Sequence, residues 1–405
     1  MSEELKYLLI VVGLFLVPRV LQRFRIPSAI TCVALGAVLG MGFGLFHDDS
    51  VIPLLATLGI VALFLLAGLE VDVAEMRRGF RVTLGYLVLQ LLLLAGGTWL
   101  AVRLFELAWR PGLLLTLAIL TPSTGFILDS LSAFGLSEQQ RFWVKTKAIA
   151  SELVALGALF LVVQSSDVLG LGIASLALGV MITLLPFAFY IFAKRVLPFA
   201  PKSEFTFLLI LALLCAFITR KLGVYYLVGA FVVGVTAVRL SKRIPEFASE
   251  RLLIGIELFA SFFIPFYFFK AGLHLTAGVF SLKGVMLGFA FVTIAVPLRV
   301  GTVAAFRSLA LEEKMVNSAR VGLSLVPTLV FTLVLAEIMR ERYGLPDYLF
   351  GALTVFALVN TAIPGFVLRA APPDFVAPDA PRSTMIPPVV ASPPGASTSF
   401  VTKGR

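Results

Sequence analysis

The chain has 405 residues, of which 59% are hydrophobic and only 14% charged, and its mean hydropathy is +1.01. Soluble proteins carry about 25% charged residues, so this composition excludes a soluble domain and indicates a multi-pass membrane protein. The net charge of +10 does not indicate nucleic-acid binding, because the basic residues punctuate apolar runs, as topology signals do.

The apolar runs predict an all-α fold with thirteen transmembrane helices, or twelve if the short ninth run does not span the membrane. The first run follows an acidic N-terminus and has no small-residue cleavage site, so we interpret it as a retained span rather than a signal peptide. The predicted spans cover residues 5–22, 27–46, 51–72, 82–105, 111–134, 141–165, 168–193, 203–221, 224–239, 252–276, 283–306, 317–340 and 347–369.

Lys and Arg residues are concentrated in alternate loops, which predicts that the N-terminus is outside and the C-terminus cytoplasmic. The loops at 47–50 and 165–167 contain neither residue, whereas Arg220, Lys221, Arg340 and Arg342 fall on the outer side against the rule. The basic residues assigned to the cytoplasmic side include Arg19, Arg23, Arg25, Arg77, Arg78, Arg81, Arg141, Lys145, Lys147, Lys194, Arg195, Lys202, Arg239, Lys242, Arg243, Arg251, Arg307, Lys314 and Arg320.

Similar segments recur about 204 residues apart and predict an internal repeat. Leu66-Ala67-Gly68-Leu69-Glu70 closes span three, and Lys270-Ala271-Gly272-Leu273-His274 closes span ten. Gly36-Ala37 and Gly229-Ala230 correspond at a shorter offset. Two six-span halves joined by a seventh span would have opposite orientations, which is the inverted repeat of secondary transporters.

The predicted transmembrane domain covers residues 1–371. Its first repeat extends from about 5 to 165, its linking helix from 168 to 193, and its second repeat from 203 to 370. Residues 372–405 are rich in Pro, Ser and Ala and are expected to form a disordered cytoplasmic tail. No nucleotide-binding regulatory domain is expected.

Spans five and twelve each contain a proline flanked by hydroxyl residues. The first sequence is Thr121-Pro122-Ser123-Thr124-Gly125, and the second runs from Ser324 through Pro327 to Thr328. Proline removes a helix hydrogen bond, so we predict two interrupted helices whose free carbonyls and helix ends can receive a cation. A proline kink healed by nearby hydroxyls is the alternative interpretation.

Glu152 lies in the middle of span six, where an ionisable side chain is costly and marks an ion or proton pathway by default. A carboxyl group in apolar surroundings can alternate between protonated and cation-bound forms. Glu152 is therefore the predicted ligand for Na⁺ or K⁺, and a structural glutamate paired with a buried cation is the alternative.

Three other charged residues lie within or near predicted spans. Arg299 in span eleven is the predicted counter-charge near the carboxylate or the helix breaks, although it could also extend to the cytoplasmic surface. Lys270 near the outer end of span ten is more simply a snorkelling residue. Asp129, five residues beyond Thr124, could line an inner funnel or lie at the interface.

No pattern of an enzyme is present. Cys32 and Cys215 both lie in apolar runs and are expected to be inert buried thiols, and no cofactor is expected. The chain lacks a His-Glu-x-x-His motif, and its two histidines, His47 and His274, are far apart.

At these motifs the chain resembles the monovalent cation–proton antiporter superfamily, in particular its bacterial potassium-efflux-like and sodium–proton exchanger-like branch. The resemblance covers residues 1 to about 370 and implies a homodimer with a mobile core of spans four to six and eleven to thirteen. The span-six signature of the family is Asn-Asp, Asp-Asp or Gln-Asp, and Ser151-Glu152 stands in its place here. The resemblance assigns Glu152 to the essential aspartate position, Arg299 to the basic residue, and Thr121, Ser123 and Thr124 to the unwound segment.

These observations predict a secondary antiporter that exchanges Na⁺ or K⁺ for H⁺ by alternating access at a midplane carboxylate. A single carboxylate in the span-six pair favours electroneutral exchange. A cation channel or leak on the same scaffold is one alternative. A transport-inactive member used for signalling or assembly is another.

Overall fold

The computed structural model describes residues 3–46, 49–71, 80–164, 168–222, 226–275 and 277–368. Within these ranges the chain forms helices and turns, with no strand. Several predicted features lie outside them: His47 and Asp48, Arg77 and Arg78, the loop at 165–167, and the tail at 372–405.

Fifteen α-helices are found in the described ranges. They are α1 Glu3–Gln22, α2 Ser28–Ala37, α3 Val51–Leu69, α4 Phe80–Phe105, α5 Trp109–Leu120, α6 Thr124–Ser130, α7 Glu138–Gln164, α8 Val168–Ile191, α9 Glu204–Lys221, α10 Tyr226–Ser241, α11 Glu250–Leu273, α12 Leu282–Leu311, α13 Met315–Ser324, α14 Leu329–Tyr343 and α15 Asp347–Val367. π-helical turns at Val38–Gly42 and Phe192–Val196 extend α2 and α8, and short 3₁₀ helices occur at Leu131–Phe134, Pro245–Ala248 and Ala277–Phe280.

The all-α membrane fold predicted from the sequence is confirmed, but the count of thirteen spans is not. In the described ranges, eight helices are long and apolar enough to cross a membrane, and a ninth is obtained if the bent pair α13–α14 is one span. Every predicted span overlaps a helix. The difference arises partly from length, because the apolar helices at Ser28–Gly42 and Leu227–Ser241 are only 10–17 residues long.

Helices α2, α3, α10 and α11 pack through glycines and form what we call the scaffold group. A Cβ atom added at Gly59 would lie 2.3 Å from the carbonyl oxygen of Phe263, and one at Gly68 would lie 2.3 Å from that of Phe231. At Gly272 the corresponding distance, to the oxygen of Val33, is 2.1 Å. Such contacts leave no room for a side chain, so these helices are held together as one unit.

Glycines also lie at the contacts of α2 with α11 and of α10 with α3. Gly36 lies against Gly272, and Gly234 lies against Gly68. The predicted repeat pairs Gly68 with Gly272, and on that pairing Gly234 would be the contact counterpart of Gly36. Gly229, which the sequence paired with Gly36, packs instead against the backbone of Cys215 in α9.

The remaining helices of interest, α4–α7 and α12–α15, form what we call the core group. Helix α12 packs against α13 and α15, α14 packs against α15 and α5, and α5 packs against α4. Gly288 and Gly351 allow close approach of α12 and the Ala277–Phe280 turn to α15. Both predicted helix breaks and Glu152 belong to this group.

Candidate ion-binding site

The first helix break separates α5 from α6. Thr121 (φ −86°, ψ 122°) and Ser123 (φ −87°, ψ 97°) adopt extended backbone conformations around Pro122. Pro122 has no amide hydrogen, so the helical ladder cannot continue through it. The side chains of Thr121, Ser123 and Thr124 are all buried, with exposed fractions of 0–2%.

The second break separates α13 from α14 at Leu325–Thr328, and the two helices are bent by 48°. Pro327 lies within it. The two breaks cross in direct contact: the Ser123 amide donates to the carbonyl oxygen of Pro327 (2.9 Å), and the Phe331 amide donates to Ser123 Oγ (3.2 Å). Each break therefore supplies hydrogen-bond partners that the other has lost.

Glu152 is 2% exposed and lies near the middle of the 27-residue helix α7. Its carboxylate faces the hydroxyl and backbone amide of Thr124, where α6 begins. Among the described residues, however, Glu152 Oε2 makes no hydrogen bond, and neither do the hydroxyls of Thr121 and Thr124. Buried polar atoms in native proteins are rarely left without partners, so this group of oxygens can accept a proton, a water or a cation.

Ser151 and Glu152 contact different neighbours, as adjacent residues on a helix do. The Ser151 hydroxyl donates to Gln90 Oε1 on α4 at 2.7 Å, and both residues are buried. Tyr86, one turn before Gln90, also faces Ser151. Gln90 was not identified from the sequence, although it is a lone amide in a run of leucines, which is a signal worth using.

Arg299 is 8% exposed and contacts the second break. Its guanidinium donates to the carbonyl oxygens of Leu325 (Nη2, 2.6 Å) and Val326 (Nη1, 2.8 Å). These are carbonyls that a helix break leaves without amide partners. Arg299 therefore lies at a broken-helix end, as one of the two sequence interpretations expected.

Four further residues from the sequence analysis, namely Asp129, Lys270, Ser324 and Thr328, have different surroundings. Thr328 Oγ1 accepts from Asn360 Nδ2 at 2.9 Å and lies 2.7 Å from Thr332 Oγ1, inside the second break. Ser324 only donates back to Arg320 in its own helix. Lys270 lies away from both breaks, 3.6 Å from Glu337. The side chain of Asp129 lies outside the described part of the chain.

The surroundings of Lys147 differ from those expected of a cytoplasmic topology charge at the start of span six. It is completely buried on α7, its ammonium lies 4.1 Å from the centre of the Tyr86 ring, and Nζ has no hydrogen-bond partner in the described part of the chain. A charge near a predicted span end was counted as a topology signal, but the helix begins earlier, at Glu138. Arg307 is also buried, paired with Glu313 at 2.6 Å.

Cavities lie between the scaffold and core groups at two ends of the molecule. The Glu70 cavity (about 420 Å³) is lined by Glu70, Glu257 and Ser261 of the scaffold side and by Gly125 and Phe126 of α6. The Lys270 cavities (about 310 and 340 Å³) share the lining residues Tyr267, Lys270, Glu337 and Glu341. Gly125 and Val330, which follow the two helix breaks, line the Glu70 cavity, whereas Val334 and Leu333 of α14 line the Lys270 cavities.

No group of three His, Cys, Asp or Glu side chains that could hold a metal ion is found in the described ranges, so Glu152 belongs to no such group there. A helical membrane bundle with two crossing interrupted helices beside a buried, unpaired carboxylate has the architecture of a secondary transporter. Residues 10–371 match the family model described as sodium/hydrogen exchanger, transmembrane, and the chain belongs to that family. It is a family of transporters and not of enzymes, and the predicted superfamily is thereby confirmed.

Relatives match over nearly their full length. The chain is 24% identical to the probable Na(+)/H(+) antiporter 3 of Methanocaldococcus jannaschii, over 88% of this chain and 93% of that protein. It is 20% identical to the Na(+)/H(+) antiporter of Enterococcus hirae, over 89% and 96%. The structure of the sodium proton antiporter MjNhaP1 from M. jannaschii at pH 8 is similar in fold, with a TM-score of 0.60 at 15% identity over 90% of this chain and 94% of that one.

Proposed function

We propose that the chain exchanges a monovalent cation, Na⁺ or K⁺, for H⁺, and that Glu152 binds either one. One observation carries the proposal: among the described residues, Glu152 Oε2 is buried without a hydrogen-bond partner, and the buried hydroxyl of Thr124 lies beside this carboxylate at a helix break. An anionic oxygen next to hydroxyl oxygens is a ligand set for a small cation. The relatives named as Na(+)/H(+) antiporters support the same function.

Electroneutral exchange follows from the presence of one carboxylate at this site. An empty, ionised Glu152 carries one negative charge inside the protein, which is costly to move through the bilayer. Binding one proton or one monovalent cation neutralises it equally. Only the two neutral forms then change sides, so one cation moves one way for each proton moving the other way.

Alternating access is supported by the two sets of cavities. The Glu70 cavity extends to Gly125, the residue next to Thr124, while the Lys270 cavities approach the crossing from the other end through Leu333 and Val334 of α14. Motion of the core group against the scaffold group would enlarge one passage and close the other. The glycine contacts support this division because they keep the scaffold helices together.

The positions of Lys and Arg orient the proposed transporter. Lys194, Arg195 and Lys202 follow α8, and Arg239, Lys242, Arg243 and Arg251 lie between the last turn of α10 and the first turn of α11. Glu257 lines the Glu70 cavity from the early part of α11, so we assign the Glu70 cavity to the cytoplasmic side. The proposal places the protein in the cell membrane as a homodimer, with its N-terminus outside and the 372–405 tail in the cytoplasm.

To test the site, Glu152→Gln should be reconstituted in proteoliposomes loaded with a pH-sensitive dye. Glutamine has nearly the shape of glutamate but cannot bind or release a proton, so Na⁺- or K⁺-driven proton flux should fall to the level of protein-free vesicles. Glu138→Gln is the matched control, because Glu138 is exposed at the start of the same helix. Normal flux in the Glu152→Gln variant would rule out the assigned role.

The same vesicles distinguish the two alternatives. A channel or leak would pass cations even after the proton gradient is collapsed. A transport-inactive protein would bind Na⁺ or K⁺ without measurable flux of either ion. Titration with Na⁺, K⁺ and Li⁺ in turn gives the selectivity, and clamping the membrane potential at different values tests whether the exchange is electroneutral.

A further inference from the structure

Helices α3 and α11 of the scaffold group run in opposite directions. Residues near the start of α3, such as Ala56 and Thr57, line a Lys270 cavity together with Tyr267 near the end of α11. Residues near the end of α3, such as Leu66, line the Glu70 cavity together with Ser261 from the middle of α11. Glu70 and Lys270 therefore mark opposite ends of this helix pair. Thr57 on α3 and Glu70 directly after it are thirteen positions apart, and a rise of about 1.5 Å per residue gives a separation of about 20 Å between the two ends.

An ion pair joins the scaffold group to the core group at each of these ends. Lys145 Nζ on α7 lies 2.5 Å from Glu70 Oε2 at the end of α3. Lys270 Nζ near the end of α11 lies 3.6 Å from Glu337 Oε1 on α14, and His274 Nδ1 lies 3.7 Å from the same oxygen. Glu70 lines the Glu70 cavity, and Lys270 and Glu337 line the Lys270 cavities. The scaffold group and the core group therefore cannot separate at either end while the ion pair there is intact.

We propose that these pairs are two latches that select which side of the membrane has access to the ion site. Both pairs are formed in the structure; breaking the Glu70–Lys145 latch opens the Glu70 passage, and breaking the Lys270–Glu337 latch opens the Lys270 passage. In each half-cycle one pair breaks while the other stays formed. This inference rests on the proposed alternating access. It adds that the equilibrium between inward-open and outward-open forms depends on these two ion pairs, which lie outside the ion site.

The latches can be tested by thiol accessibility, which does not require transport. Ser261→Cys reports on the Glu70 cavity and Thr57→Cys on a Lys270 cavity, both in the full-length chain with Cys32 and Cys215 replaced by alanine. Labelling by a membrane-impermeant thiol reagent is measured from each side. We expect Glu70→Gln to increase labelling at residue 261 and decrease it at residue 57, and Glu337→Gln to do the opposite, each by roughly two- to fivefold, the range for partly exposed ion pairs.

Asp347→Asn is the matched control, because the Arg340–Asp347 pair (3.5 Å) joins two helices of the core group and should shift neither reporter. Exchanging the charges, with Lys270→Glu plus Glu337→Lys, should restore the labelling of the parent chain. The latch assignment is overturned if both variants change the two reporters in the same direction or change neither. If Glu152→Gln retained flux while Glu70→Gln and Glu337→Gln gave the expected labelling shifts, the proposed ion site would be wrong and the latch assignment would be supported.

Discussion

The two helix breaks are built on similar sequences, yet their polar atoms are satisfied very differently. In the second break, the carbonyls of Leu325 and Val326 receive the Arg299 guanidinium, and the Pro327 carbonyl receives the Ser123 amide. Its hydroxyl residue, Thr328, is bound by Asn360. In the first break, the hydroxyls of Thr121 and Thr124 have no partner in the described part of the chain.

Two helix breaks with similar sequences can therefore differ in which of their polar atoms are hydrogen-bonded. The carbonyls and the hydroxyl described above for the second break are hydrogen-bonded, so this break is held in one arrangement and has a structural role. A break with free hydroxyls beside a free carboxylate oxygen still has ligands to offer. We therefore assign ion binding to the first break and bracing to the second, and the following variants separate the two roles.

Removing the guanidinium that braces the second break should have the largest effect. Arg299→Leu would leave the buried carbonyls of Leu325 and Val326 without donors, at a cost of about 1–3 kcal/mol each. We expect antiport to be abolished and thermal stability to fall, measured by dye-detected flux and by a melting curve of the purified protein. Arg299→Lys keeps the charge without the forked geometry and should recover part of both. Normal transport by Arg299→Leu would contradict the bracing role.

Removing the free hydroxyl of the first break should have an intermediate effect confined to ion binding. Thr124→Val preserves shape and removes an oxygen beside Glu152. Loss of one such ligand, about 1.4 kcal/mol, corresponds to about a tenfold increase in the cation KM of antiport, with the melting temperature nearly unchanged. The KM is measured by titrating Na⁺ and K⁺ against the proton flux.

The equivalent change in the second break should be the smallest for transport and should act on stability instead. Thr328→Val strands the amide of Asn360 and should lower the melting temperature by about 2–4 °C while the cation KM stays within about twofold of the parent value, the effect of less than 0.5 kcal/mol. If Thr328→Val raised the KM as much as Thr124→Val, the functional difference between the two breaks would be lost.

Both breaks could be predicted from the sequence because a proline with adjacent hydroxyl residues is a local signal. Glu152 and Arg299 could be predicted because a charged residue is conspicuous within an apolar run. The sequence could not show which hydroxyls find partners, since Asn360, which lies 32 residues further along the chain, reaches Thr328 only through tertiary packing. Gln90 and Lys147 were missed for opposite reasons. Gln90 was overlooked as a single polar residue among leucines, and Lys147 was counted as a cytoplasmic charge at the start of span six although α7 begins nine residues before it.

The most direct test of the central claim is proton release on cation binding, without a membrane. The purified protein in a weakly buffered detergent solution is mixed with Na⁺ or K⁺ while a pH dye reports released protons. If proton and cation compete for Glu152, the native chain and Glu138→Gln should release up to one proton per bound cation and Glu152→Gln none. Equal release from Glu152→Gln would place the exchange at another group and contradict the account.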